Sequence, residues 1–302
     1  MHNKMQGSEK MRKSMLLSVI LCVLILFTSC SKGSSDNSSP TATSDNKASA
    51  VIANADKNAA SQVSACSSTP LTNWEKLDNT KQGWGQGTQV DKDKRPVSCT
   101  QFQNKYGKYG SVFIKDNAKR IYLTFDEGYE NGYTSKILDS LKEKKVPAVF
   151  FVTYDYAKRN HDLVQRMINE GHVVGNHSYT HPSMPTLSIS KASDEISKMH
   201  SYIKENFNYT MTLFRPPMGE FSERTLALTQ SLGYKSVFWS FAYVDWNPQK
   251  QMGTDKAYKK VVSGLHNGAI YLLHAVSKDN AEILGSFINE AKKEGYEFAR
   301  LS

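Results

Sequence analysis

The sequence predicts a distorted parallel (β/α) barrel of about seven strands over residues 121–302. Three observations predict it. Short apolar runs alternate with helical patterns from Ile121 onward, as a parallel sheet requires. About seven such units follow with no glycine-rich dinucleotide loop, which favours a barrel over an open, doubly wound sheet. Acids, an arginine and histidines recur just after successive strands, where a parallel barrel carries its chemistry.

The elements follow in order. Residues 121–125 read as a buried strand, and Ile137, Leu138 and Leu141 mark a helix by their spacing. Residues 148–152 form a second strand. A helix around Leu163, Met167 and Ile168 leads to a strand at 172–174. A longer helix spans about 191–206, before a short strand at Leu213 and Phe214. A helix over 222–232 takes Ser222 as its N-cap, and residues 236–239 return to strand. A helix at 255–264, a strand at 269–273, a helix at 281–294 and a strand near Phe298 complete the pattern.

The chain before this domain has a different character. Its 302 residues carry a net charge of +9. Most of that surplus lies in residues 1–110, and no Lys/Arg cluster recurs later, so no nucleic-acid partner is indicated. Met11-Arg12-Lys13 precedes an apolar run from Met15 to Phe27, too short for a comfortable membrane span. Residues 1–29 read as a signal peptide. Thr28-Ser29-Cys30 resembles a bacterial lipobox, although Phe27 stands where Leu is preferred. The expectation is an exported protein, lipid-anchored through Cys30 to the outer face of the cytoplasmic membrane. Residues 30–65, rich in Ser, Asn, Ala and Thr, read as a flexible tether. Residues 66–120 read as an irregular lead-in packed on the barrel. Cys66 and Cys99 could pair in an oxidising compartment or remain two thiols.

The polar residues at the strand ends should converge on one rim. They are Asp126 and Glu127, His177 and His181, Arg215, Asp245, and His274. On one helical turn, the i, i+4 pair His177 and His181 would face the same way and share a metal. Asp126 could be a base, a ligand or a strand-end cap. Arg215, in the rigid stretch Arg215-Pro216-Pro217-Met218-Gly219, could pair with Asp126 and lower its pKa. Asp245 could orient His274 and raise its pKa toward use as a general acid.

These stretches carry a resemblance. Thr124-Phe125-Asp126-Glu127-Gly128, His177-Ser178-Tyr179-Thr180-His181, Arg215-Pro216-Pro217-Met218-Gly219, Asp245-Trp246 and Leu272-Leu273-His274 resemble five motifs of the polysaccharide deacetylases. These are the NodB-homology or family 4 carbohydrate esterases, and the motifs stand here in family order. Gly128-Tyr129-Glu130-Asn131-Gly132-Tyr133 and the run from Leu272 to Glu282 are similar to the spore-cortex subgroup, the delta-lactam-biosynthetic de-N-acetylases. The resemblance implies a NodB-homology barrel and a metal-assisted amide hydrolase.

It also implies roles. Asp126 would be the general base, Arg215 its orienting partner, and His274 the general acid supported by Asp245. His177, His181 and Glu127 would hold a divalent metal, with zinc the expected ion. Glu127 stands where the wider family has Asp, so its ligand role is the open position in that set. The Met218 N–H would meet the oxyanion, and Trp246 and Leu272 would wall the acetyl pocket. The implied substrate is N-acetylmuramic acid in peptidoglycan strands already stripped of peptide by a muramoyl-alanine amidase, leading to muramic delta-lactam in spore cortex. Deacetylation of N-acetylglucosamine, in peptidoglycan or a chitin-like polymer, is the alternative. A catalytically dead glycan-binding lipoprotein would be expected to lack the base or the acid, and Asp126 and His274 are both present.

Overall fold

The computed structural model describes residues 74–302. The signal, the lipobox Cys30, the tether and Cys66 lie outside the described residues. Among those described, no helix is long and apolar enough to cross a membrane.

In chain order the elements are β1 (Gln82–Gly83), α1 (Val97–Tyr106), β2 (Arg120–Glu127), α2 (Thr134–Lys144), β3 (Ala148–Val152), α3 (Tyr154–Arg159), α4 (His161–Asn169), β4 (Val173–Asn176), α5 (Ile189–Phe207), β5 (Leu213–Phe214), β6 (Glu220–Phe221), α6 (Glu223–Ser231), β7 (Lys235–Ser236), α7 (Thr254–Ser263), β8 (Ala269–His274), α8 (Lys278–Lys293) and β9 (Glu297–Phe298). The main sheet runs β7-β5-β4-β3-β2-β8, with β9 beside the start of β2. Every pairing in it is parallel.

The sheet curls into a distorted barrel because both faces of its central strands are apolar. Tyr122, Val149, Phe151, Val173, Leu213, Val237 and Ile270 fill the inside. Alternate residues of the same strands, including Leu123, Phe125, Phe150 and Val152, pack outward against the helices. The gap between β7 and β8 is bridged by irregular chain. Val112 pairs with Val237, and Phe241 with Tyr271, both in parallel.

Ser222 caps α6 as its sequence position predicts, accepting the Thr225 N–H at 3.1 Å. The strand expected at 236–239 is shorter: the Val237 N–H still donates to the Phe214 carbonyl of β5, but the Phe238 N–H turns to the Val112 carbonyl instead. The stretch expected to be irregular contains a helix, α1, and Cys99 on it is fully buried. Its aromatic side chains Phe102 and Tyr106 join Trp84, Phe113, Phe221, Phe238 and Trp239 in a second core beside the barrel mouth.

Candidate active site

Strand register delivers the site. Asp126, near the C-terminal end of β2, lies opposite His274 on β8 and Phe151 on β3. Phe151 in turn lies opposite Gly175, where an added Cβ would come within 2.4 Å of the Phe151 ring. The absent side chain leaves that ring its place, and the Arg215 guanidinium stacks over it at 4.2 Å. Arg215 follows β5 and is wholly buried. Its Nη1 donates to Asp126 Oδ1 at 2.7 Å, and its Nε and Nη2 donate to the carbonyls of Val237 and Phe238. A buried guanidinium is tolerable only when paired and hydrogen-bonded in this way. Burial pushes the Asp126 carboxyl up, but Arg215, His177 and His274 outweigh it, so its pKa falls below the usual value.

His177 and His181 do come together, with ring centroids 4.7 Å apart. The helical turn expected for them is not what does it. The segment is a loop in which Ser178 and His181 adopt left-handed backbone, φ 68° and 60°. Three polar residues hold it. Asn176 Oδ1 accepts the Ser178 N–H at 2.9 Å, and Ser178 Oγ accepts the His181 N–H at 2.8 Å. Glu195, from α5, accepts both the N–H and the hydroxyl of Thr180 at 2.7 Å. Sequence reasoning missed Asn176 and Glu195. Only the positive-φ demand of a tight loop would have called for such acceptors.

His177 Nδ1–H donates to the Arg215 carbonyl at 2.9 Å. Its Nε2 lone pair therefore faces Asp126 Oδ2 at 3.5 Å. Burial lowers the His177 pKa to about 4 and also lowers that of His181, so both rings are neutral near pH 7. Two electron-rich atoms facing each other with no proton between them suit a cation, and an imidazole tethered through its other nitrogen is how proteins present a metal ligand.

Glu127 does not complete that set. Consecutive residues on a strand point to opposite faces, and Glu127 pairs with outward-facing Val152. Its carboxyl is fully buried with neither oxygen bonded, and burial, then Glu130 and Asp126, raises its pKa well above the usual value. The ligand role expected for it is thus corrected. The two imidazoles fit a metal, but among the described residues no group of three His, Cys, Asp or Glu is arranged to hold one.

On the other side, Asp245 Oδ1 accepts from His274 Nδ1 at 2.7 Å, and Asp245 Oδ2 accepts the His274 backbone N–H at 2.9 Å. Asn280 Nδ2 donates to Asp245 Oδ2 at 2.6 Å, a partner not anticipated from sequence. Burial would lower the His274 pKa, yet Asp245 and then Asp126 more than offset it, and the net direction is upward.

Asp126, His177, His181 and His274 open into one cavity of about 770 Å³, also lined by Met218, Trp246 and Leu272. Tyr129, Met218 and Trp246 stand about half exposed around it. Every expected site residue except Glu127, Arg215 and Asp245 lines this cavity. Arg215 and Asp245 sit directly behind Asp126 and His274.

Such a barrel, with buried acid–base pairs beside two neutral imidazoles, is equipped for hydrolysis. The polysaccharide deacetylase family model matches residues 114–237. The peptidoglycan-N-acetylmuramic acid deacetylase PdaA of Bacillus subtilis is 42% identical over 226 residues, 74% of this chain and 86% of its own. An uncharacterized 30.6 kDa protein of Geobacillus stearothermophilus is 48% identical over 218 residues, 71% of this chain and 82% of its own. The solved structure of Bacillus subtilis PdaA, a family 4 carbohydrate esterase, superposes with a TM-score of 0.71 at 41% identity, over 74% of this chain and 96% of that one. This chain belongs to the polysaccharide deacetylase family, whose enzymes are in general divalent-metal-dependent hydrolases of carbon–nitrogen bonds other than peptide bonds.

Proposed function

We propose that this protein removes the acetyl group from N-acetylmuramic acid in peptide-stripped peptidoglycan strands. The observation that carries the reading is Asp126 facing His274 across one cavity, each charge-tuned by a buried partner. The choice of sugar is supported by the 42% identity to a muramic acid deacetylase, against 34% to the Listeria monocytogenes peptidoglycan-N-acetylglucosamine deacetylase PgdA.

The chemistry is amide hydrolysis. Asp126 takes a proton from the attacking water as its oxygen bonds to the acetamide carbon. Arg215 keeps the carboxylate ionised and aimed. The Met218 N–H donates to the oxyanion that forms, a contact worth about 3 kcal/mol in comparable sites. His274, held by Asp245, gives its proton to the leaving nitrogen as the C–N bond breaks, releasing acetate and a free amine. Trp246 and Leu272 enclose the methyl. His177 and His181 would hold a divalent metal, for which we choose zinc; when bound it would supply Lewis acidity, polarising the carbonyl and acidifying water enough for so weak a base as Asp126.

In this reading the protein is exported and lipid-anchored through Cys30 to the outer face of the cytoplasmic membrane. It acts after a muramoyl-alanine amidase, and its product amine leads to muramic delta-lactam in spore cortex. Mass spectrometry of muropeptides treated with the purified protein tests the substrate. Acetyl loss from muramic acid is expected; loss confined to glucosamine would move the assignment to the alternative sugar.

A further inference from the structure

The barrel strands do not fix one wall of their own cavity. Trp239 lines it, and its indole lies so close to Gly219 that a Cβ there would be 2.7 Å from the ring. Gly219 and Met218 both have positive φ, 67° and 59°, backbone that L side chains rarely adopt. A turn of this kind needs outside restraint, and the restraint comes from the lead-in. The Trp84 backbone N–H donates to the Gly219 carbonyl at 3.0 Å. Its indole N–H donates to the Trp239 carbonyl at 3.0 Å. The Trp239 indole N–H donates to Gln86 Oε1 at 3.1 Å, and Gln86 Nε2 donates to the Ala242 carbonyl at 3.0 Å. Pairing of β1 with β6 ties the same stretch to Glu220 and Phe221. Trp84 itself is buried, edge-on to Phe113 at 4.6 Å.

Leu272, which also lines the cavity, belongs to the same packed cluster as Trp84 and Trp239. Both clamping residues precede the region 114–237 that the family model matches. We propose that Trp84 and Gln86 are positioning residues. They lock Trp239 as a wall of the acyl pocket and hold the turn of Met218 and Gly219 in register with Asp126. The inference rests on the roles given above to the Met218 amide and the acyl pocket.

The test compares wild type, Trp84→Phe and Gln86→Ala in the full-length protein. Substrates are N-acetyl and N-propionyl forms of one peptide-stripped glycan. Trp84→Phe keeps a ring and the backbone amide but loses the indole donor; Gln86→Ala loses both of its bonds. Loss of alignment should lower kcat on the acetyl substrate by about ten-fold. KM on the acetyl substrate should stay within about two-fold, since neither Trp84 nor Gln86 itself lines the cavity. A loosened Trp239 should raise the propionyl-to-acetyl ratio of kcat/KM by about ten-fold, the worth of one methylene in a tight pocket. Lowered thermal stability with the ratio unchanged in both variants would reduce the contacts to packing and overturn the proposal. Wild-type kcat and ratio in both would overturn it equally. In either case the wild type would still release acetate; absence of release from the wild type would instead strike the deacetylase reading.

Discussion

Arg215 carries its charge with no exposed surface, and among the described residues Asp126 is its single carboxylate partner. In the proposed mechanism that pair sets the acid side of the reaction, because a carboxylate held below its usual value stays ionised to more acid pH. His274 sets the other side. Its pKa is raised, so the proton it must donate is retained above the ordinary histidine value. Activity should therefore form a bell, with one limb below the usual Asp range and the other above that of a free imidazole. Asp245→Asn removes the carboxylate that lifts His274. The alkaline limb should then move to lower pH, as a pH–rate profile of acetate release would record. An unshifted limb would detach His274 from that limb. The same raised pKa has a stability consequence: the Asp245–His274 contribution is complete below the unfolded histidine value and is lost as pH rises through the folded one.

The loop carrying His177 and His181 has left-handed backbone at Ser178 and His181, and in the proposed mechanism it presents the metal ligands. If its two neutral imidazoles hold the ion, calorimetric titration with zinc should give binding to the wild type that His181→Ala abolishes. Equal binding by both would place the ion elsewhere. How far sequence reveals structure also divides by element. The barrel strands were legible because their apolar runs are continuous, and the residues closing them lie near the C-terminal rim by topology alone. The loop was misread as a helical turn because i, i+4 spacing fits both, and only the left-handed positions at Ser178 and His181 separate them. The ligand role expected of Glu127 comes from the Asp that the wider family has at that position, whereas strand alternation sends the side chains of Asp126 and Glu127 to opposite faces. Asn176, Glu195 and Asn280 were invisible because their partners are distant in sequence or are backbone groups. The helix α1 is obscured by its polar residues Thr100, Gln101, Gln103, Asn104 and Lys105, yet its Phe102 and Tyr106 help to build the platform under Trp84.

At the scale of the whole molecule, the described residues join a catalytic barrel to a lead-in that packs against its mouth. For the sequence before them we propose an export and anchoring signal. Acylation at Cys30 should leave the protein in the membrane fraction of cells that make it, and Cys30→Ala should release it to the soluble exported fraction; a variant still wholly membrane-bound would remove the lipid anchor from the account. The central claim is that Asp126 activates water to deacetylate muramic acid. Its most direct test is muropeptide mass spectrometry run side by side on wild type and Asp126→Asn, with amidase-treated peptidoglycan as substrate. Deacetylated muramic acid should appear with the wild type and be undetectable with the variant, whose circular dichroism should remain that of a folded protein. Equal deacetylation by both proteins would contradict the account.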